Sequence, residues 1–298
     1  MKLARLAFVM LGLFWGSNFI YMKWASSSIS PMQIAFLRVF FGFLPLAFVA
    51  WRRKVIRFDQ LRYLHHFIVM GFVATAFYYF AITKGTALLP SGIAAVLGNA
   101  ATLFTAIFSV FFLRTEKMNS TMALGVLLGL VGITLIARPW EGAAGSIEFA
   151  GVCWLLISSL VLGLSYVYVR AFLSPSGLPP LALATWQMGI AVGVLAAVTD
   201  FSGVTNILHD PLAAVGLVVG GGILGTGVSF FLYYYLLEKF GAVASSGATY
   251  MAPAVALIIG WAVGEKFGLL ECAALVLIIF SVMILHAGRQ RTLQRAAG

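Results

Sequence analysis

Nine carboxylates and four histidines are the groups with which this chain could carry out acid–base or metal chemistry. Their positions argue against both. The acids are Asp59, Glu116, Glu141, Glu148, Asp200, Asp210, Glu238, Glu265 and Glu271; the histidines are His65, His66, His209 and His286. Every acid falls between apolar runs or at the end of one, and no His/Asp/Glu cluster shares a single depth. Cys153 and Cys272 lack metal-ligand spacing and read as two free, packing thiols. No glycine-rich loop ends in Lys-Ser/Thr. Neither catalysis, nor a metal, nor a cofactor is expected.

The groups placed inside the apolar runs are uncharged and recur at helical spacing. Trp15, Asn18, Phe19 and Met22 share one face of the first run. The third run offers Thr75, Tyr78, Tyr79 and Thr83, and the fourth Ser91, Ala95, Asn99 and Thr102. Trp154, Ser158, Ser165 and Tyr168 follow in the sixth, Trp186 and Gln187 in the seventh, Thr226, Ser229, Tyr233 and Tyr234 in the eighth, and Ser246, Thr249 and Tyr250 in the ninth. Buried amides and hydroxyls cost free energy unless partnered. These residues therefore line a cavity that meets an amphipathic solute, or they bond helix to helix; for each one both roles stay open. The substrate-contact set expected here is Trp15, Asn18, Tyr78, Tyr79, Asn99, Trp154, Ser165, Trp186, Tyr234 and Tyr250. Arg38 is the lone charge well inside a run. It is expected to hold a substrate carboxylate, to satisfy helix-end carbonyls, or to reach the membrane surface. Pro45 and Pro253 interrupt the second and ninth runs, and Pro253 is a candidate hinge.

The elements that must position these groups are transmembrane helices. Hydrophobic residues make up 62% of the 298 and charged ones 9%, far from the quarter that a soluble domain carries. The runs are too continuous for the alternating strands of a β-barrel. Ten of them reach the length needed to cross the hydrocarbon core: 6–24, 32–51, 63–83, 91–113, 120–137, 149–169, 181–199, 212–237, 243–264 and 269–287. An amino-terminal basic pair, Lys2 and Arg5, imitates a signal peptide, but cleavage would remove a span that the rest of the pattern requires.

The net charge of +10 comes from topology signals, not from a nucleic-acid surface. With the N-terminus inside, fourteen Lys and Arg fall in internal segments and four, Lys23, Lys84, Arg138 and Lys266, in external ones. That bias predicts both termini in the cytoplasm.

The chain also repeats itself. Gly16-Ser-Asn-Phe-Ile-Tyr-Met-Lys23 returns as Gly163-Leu-Ser-Tyr-Val-Tyr-Val-Arg170, Tyr78 to Lys84 returns as Tyr233 to Lys239, and Glu116-Lys117 as Glu265-Lys266. Five runs per half insert the second copy upside down. The expected architecture is all-α, ten transmembrane helices as a 5+5 inverted repeat, residues 1–140 and 146–298 together forming one transport domain. The Gly-xxx-Gly pairs, Gly12/Gly16 and Gly125/Gly129 among them, read as close helix packing.

The Trp15-Gly16-Ser17-Asn18-Phe19 opening, the repeat and the paired Glu116 and Glu265 resemble EamA-type carriers of the drug/metabolite transporter superfamily. Within it the chain is most similar to the YddG-type exporters of aromatic and other apolar amino acids. The resemblance implies metabolite export across the bacterial inner membrane. The small multidrug members carry a glutamate in the first span; here that span has no acid, so cation–proton exchange of that kind is not implied. The expected activity is alternating-access export of aromatic and apolar amino acids, by a monomer in a lipid bilayer. The rival expectations are a carrier of nucleotide sugars or phosphorylated sugars, which should demand several interior cations, and a passive channel.

Overall fold

The computed structural model describes the backbone of residues 2–113, 118–138, 140 and 148–297, and their side chains except at 2–4, 234, 237–247, 249–250, 289 and 291–297. All secondary structure among these residues is helical. Nine stretches are long and apolar enough to cross a membrane, and Met251–Ala262 is a shorter apolar helix. The protein is an all-α integral membrane protein of ten spans.

The first two spans are α1 (Lys2–Ala25) and α2 (Pro31–Arg52). A capping box starts α2: the Ser30 hydroxyl accepts the Gln33 N–H while the Gln33 side chain accepts that of Ser30, and Pro31 fits the first turn, where no N–H is needed. The third span runs from a 3-10 turn, Phe58–Tyr63, through α3 (Leu64–Val69) and a π-helical stretch, Met70–Phe77, into α4 (Tyr78–Leu88). The fourth is split into α5 (Ser91–Gly98) and α6 (Ala101–Phe112). The fifth is α7 (Ser120–Ala137), the sixth α8 (Phe149–Tyr168) with a π turn Val169–Leu173, and the seventh α9 (Pro180–Val198). The eighth opens with α10 (Pro211–Val215) and a long π stretch, Gly216–Val228. Then come α11 (Ser229–Ala262) and α12 (Leu269–Ala297).

The sequence predicts a break at 238–242, between the eighth and ninth runs; both runs fall within the helical stretch α11. Leu-Leu-Glu-Lys-Phe holds no proline and is made mostly of strong helix formers, so the backbone keeps helical conformation on both sides of the boundary. It does not stay straight. A straight helix would carry Tyr233 about 27 Å from Met251. Yet the Tyr233 ring lies 5.9 Å from that of Trp15, while Met251 packs on Gly12 of the same α1. The helix therefore doubles back and supplies both the end of the eighth span and the ninth.

Packing places α1 against both legs of α11 and the Gly216–Val228 stretch. α2 packs on that same stretch and on α9, α9 on Met70–Phe77, α8 on α4 and α6, α5 on α11, and α7 on α12. Leu285, Ser281 and Ile278 of α12 lie against Gly125, Gly129 and Gly132 of α7, where any side chain would collide. In a bilayer, where apolar surface gains nothing by leaving lipid, such close van der Waals contact is what holds helices together. At the end of the bundle opposite the N-terminus, Gln33 donates to the carbonyls of Asp200 and Ser202 at 2.7 and 2.9 Å. A polar cleft of about 420 Å³ opens there between Ser26–Ser30 and Asp200–Asn206. Ser202 hydrogen bonds, from its backbone N–H first, hold the Asp200 carboxyl below its ordinary pKa.

Candidate functional site

Asn18 sits seven residues before the end of α1 and Arg38 seven after the start of α2, so both lie about 10 Å in from the same end of the bundle. Tyr79 on α4 reaches the same level. The Arg38 guanidinium carbon stands 4.8 Å from the centre of the Tyr79 ring, and a terminal N–H donates to the Met22 sulfur at 3.0 Å. The Arg38 Nε is buried without a hydrogen-bond partner among the described residues. Arg38 is 7% exposed and is the one buried cation among those residues. Thr83 Oγ1, fully buried, donates to the Tyr79 carbonyl at 2.7 Å and lies 3.6 Å from the Met22 sulfur. Tyr78 packs edge-on against Tyr79, with ring centres 5.1 Å apart.

One turn before Met22, the Asn18 amide is 2% exposed and donates to the Gly225 carbonyl at 3.3 Å. Its Oδ1 has no partner among the described residues. The approach is possible because position 225 is glycine: a Cβ there would overlap the amide. The π geometry of this stretch also lets the Thr226 and Ser229 hydroxyls bond carbonyls five residues back, at 2.9 Å each, where an α-helix would offer the fourth. Thr75 bonds five back in the Met70–Phe77 stretch too, and accepts from Gln187 at 2.7 Å.

Asn99 and Pro253 meet elsewhere, across a cavity of about 20 Å³ that Thr102 and Val96 also line, room for one water. Asn99 ends α5 and donates to the Ala95 carbonyl at 2.8 Å. The break at Asn99-Ala100 frees carbonyls, and Ser159 of α8 takes those of Leu97 and Gly98 at 2.7 and 3.0 Å. Ser159 is a residue the sequence pattern passed over in favour of its neighbour Ser158, which bonds only its own helix.

The remaining expected contacts are dispersed. Trp15 lies one turn from Asn18, against Tyr233. Trp154 packs edge-on against Phe80, and Ser165 bonds back to the Val161 carbonyl. Trp186 stacks within 3° of parallel on Phe67 and donates to Gln60 at 2.8 Å, away from Arg38. The side chains of Tyr234 and Tyr250 lie outside the described residues, as does Glu116. Glu265 accepts from the backbone of Ser91 and Gly92 and so caps α5. Among the described residues no group of His, Cys, Asp and Glu is arranged to hold a metal ion.

A many-span helical protein with a buried cation, an amide and aromatic rings at one depth belongs among the polytopic integral-membrane proteins. More narrowly, the chain belongs to the EamA-like transporter family, whose family model matches it twice, at 2–138 and 149–286. It is 26% identical to the uncharacterized inner membrane transporter YedA of Escherichia coli over 94% of this chain and 89% of that one. It is 26% identical to the uncharacterized transporter YoaV of Bacillus subtilis over 85% and 87%, and 24% identical to a chloroplastic WAT1-related protein of Arabidopsis thaliana over 92% and 67%. A crystal structure covering 96% of its own chain and 95% of this one aligns with a TM-score of 0.60 at 19% identity, a likeness of fold alone.

Proposed function

We propose that the protein is a bacterial inner-membrane carrier that exports small amphipathic metabolites, foremost amino acids with aromatic or other apolar side chains. Arg38 carries this reading. It is buried and, among the described residues, is held by a thioether and a ring face, neither of which neutralises its charge. Such a guanidinium is a ready receptor for a carboxylate. Asn18, Tyr78 and Tyr79 complete the site and Trp15 extends it along α1; Pro253, beside the separate small cavity at Asn99, is the candidate hinge.

The packing pattern supports two halves, 1–140 and 146–298, related as inverted repeats. Exchanging spans one to five with six to ten turns the main contacts between them into others: one with eight and nine becomes six with three and four, and two with eight becomes seven with three. Spans two and seven, four and nine, and five and ten pair with their own mates. The long π stretches occupy the third and eighth spans, again mates. Both termini then face the cytoplasm, and ten spans suffice for a monomer to enclose the pathway. A nucleotide-sugar cargo would need several buried cations; the described residues hold one.

Purified protein in liposomes, offered labelled amino acids, nucleotides and sugars, tests the reading. Saturable counterflow of aromatic and apolar amino acids is expected. No buried carboxylate or histidine faces the pocket among the described residues, so an imposed pH gradient at clamped potential should not raise accumulation. Counterflow of phosphorylated sugars without amino acids would transfer the site to the rival cargo, and unsaturable flux would make it a channel.

A further inference from the structure

Arg38 is not the only dissatisfied group at this depth, and the second one carries the opposite preference. Asn18 Oδ1 is a buried acceptor with no donor among the described residues, just as Arg38 Nε is a buried donor with no acceptor. The Gly225 carbonyl fixes the amide's orientation, since only Nδ2 can donate to it. Asn18 and Met22 are a helical turn apart on α1, with Cβ atoms about 6 Å from each other. Met22 is the residue whose sulfur Arg38 borrows. A sulfur is a weak acceptor on a flexible side chain, easily displaced by a carboxylate.

We propose that Asn18 and Arg38 together read the two charged ends of an α-amino acid, Arg38 binding the carboxylate in place of Met22 and Asn18 Oδ1 accepting from the ammonium. This deepens, and rests on, the reading of the protein as an amino acid carrier. Arg38 reaches the side chain of Met22, one helical turn from Asn18 on α1, and an α-amino acid presents an ammonium and a carboxylate joined through one carbon, so neighbouring groups can take one end each. The Tyr79 ring, and Tyr78 beside it, stand on the Arg38 side to meet an apolar side chain. A simple carboxylate satisfies Arg38 but leaves Asn18 Oδ1 without a donor. A simple amine satisfies Asn18 but sets a second cation beside Arg38. The order of preference is therefore amino acid, then carboxylate, then amine, with the first step about tenfold to a hundredfold.

The test is counterflow of labelled phenylalanine in proteoliposomes, competed by unlabelled phenylalanine, 3-phenylpropionate or phenethylamine. Wild-type protein should prefer phenylalanine to 3-phenylpropionate by at least about tenfold and ignore phenethylamine. Asn18→Leu should bring the first ratio close to one. Asn18→Asp, which supplies an anion to face the ammonium and to pair with Arg38, should make phenethylamine a competitor. Ratios measured on one preparation are indifferent to how much of a variant folds. An unchanged phenylalanine-to-phenylpropionate ratio in Asn18→Leu overturns the role of Asn18 while leaving amino acid transport intact. Absence of phenylalanine counterflow by the wild type, with other cargo carried, overturns the amino acid reading beneath it.

Discussion

Two clusters of aromatic and polar side chains face each other along the bundle, and they differ in what is left over. Around Trp186 every described polar contact closes: the indole donates to Gln60, Gln60 donates onward to the Val55 carbonyl, and the ring stacks on Phe67. Around Arg38 the contacts do not close. A guanidinium borrows a sulfur and a ring face, and an amide oxygen has no described donor. Both clusters look alike in composition. The difference teaches that a Trp or an Asn at helical spacing says nothing about binding until its partners are counted.

Breaking the open cluster should have the largest effect. Arg38→Met replaces the buried charge by an apolar side chain of similar length. Amino acid counterflow should fall at least a thousandfold, about 4 kcal/mol, while stability in a mild-detergent-to-SDS titration holds or rises, because an incompletely paired buried charge is costly. Retained transport would place the carboxylate elsewhere. Trp186→Ala is the converse. It should lower stability by about 3 kcal/mol, as losing a large packed ring does, with the preference among amino acids of different size unchanged in the protein that remains folded. A shift toward small substrates would join Trp186 to the pocket and erase the contrast. A smaller effect belongs to Ser159→Ala, which removes the hydroxyl from the Leu97 and Gly98 carbonyls, the former keeping the Ala100 N–H; it should cost about 1–2 kcal/mol of stability. Ser158→Ala next door, measured in the same titration, should cost less.

Much of this architecture is legible in the sequence because lipid permits so few backbone solutions. Ten apolar runs with prolines at their edges became ten spans. Asn18, Arg38, Tyr78 and Tyr79 are readable as candidates because a polar group in such a run must answer for itself. What stayed hidden depends on neighbours. Met22 reads as one more apolar residue, and its sulfur matters only because Arg38 points at it. Ser158 and Ser159 differ by about 100° around a helix, and only the position of the fourth-span break tells which one works. Face assignments made at 3.6 residues per turn also drift across Met70–Phe77 and Gly216–Val228, where each turn takes up an extra residue. The reversal within α11 is legible as the gap between the runs 212–237 and 243–264, where Glu238, Lys239 and Gly241 interrupt the apolar pattern.

The ties across the middle of the chain bear on how such a molecule can be made. Glu265 caps α5, Ser159 covers the break before α6, Asn18 reaches Gly225, Gln33 reaches Asp200 and Ser202, and Arg138 pairs with Glu271 at 2.6 Å. In each case one partner comes before residue 140 and the other after residue 148. Neither portion synthesised alone would have its helix starts and interruptions met. Two separate polypeptides, cut between residues 140 and 148 and produced in one cell, would meet each other's needs and should assemble.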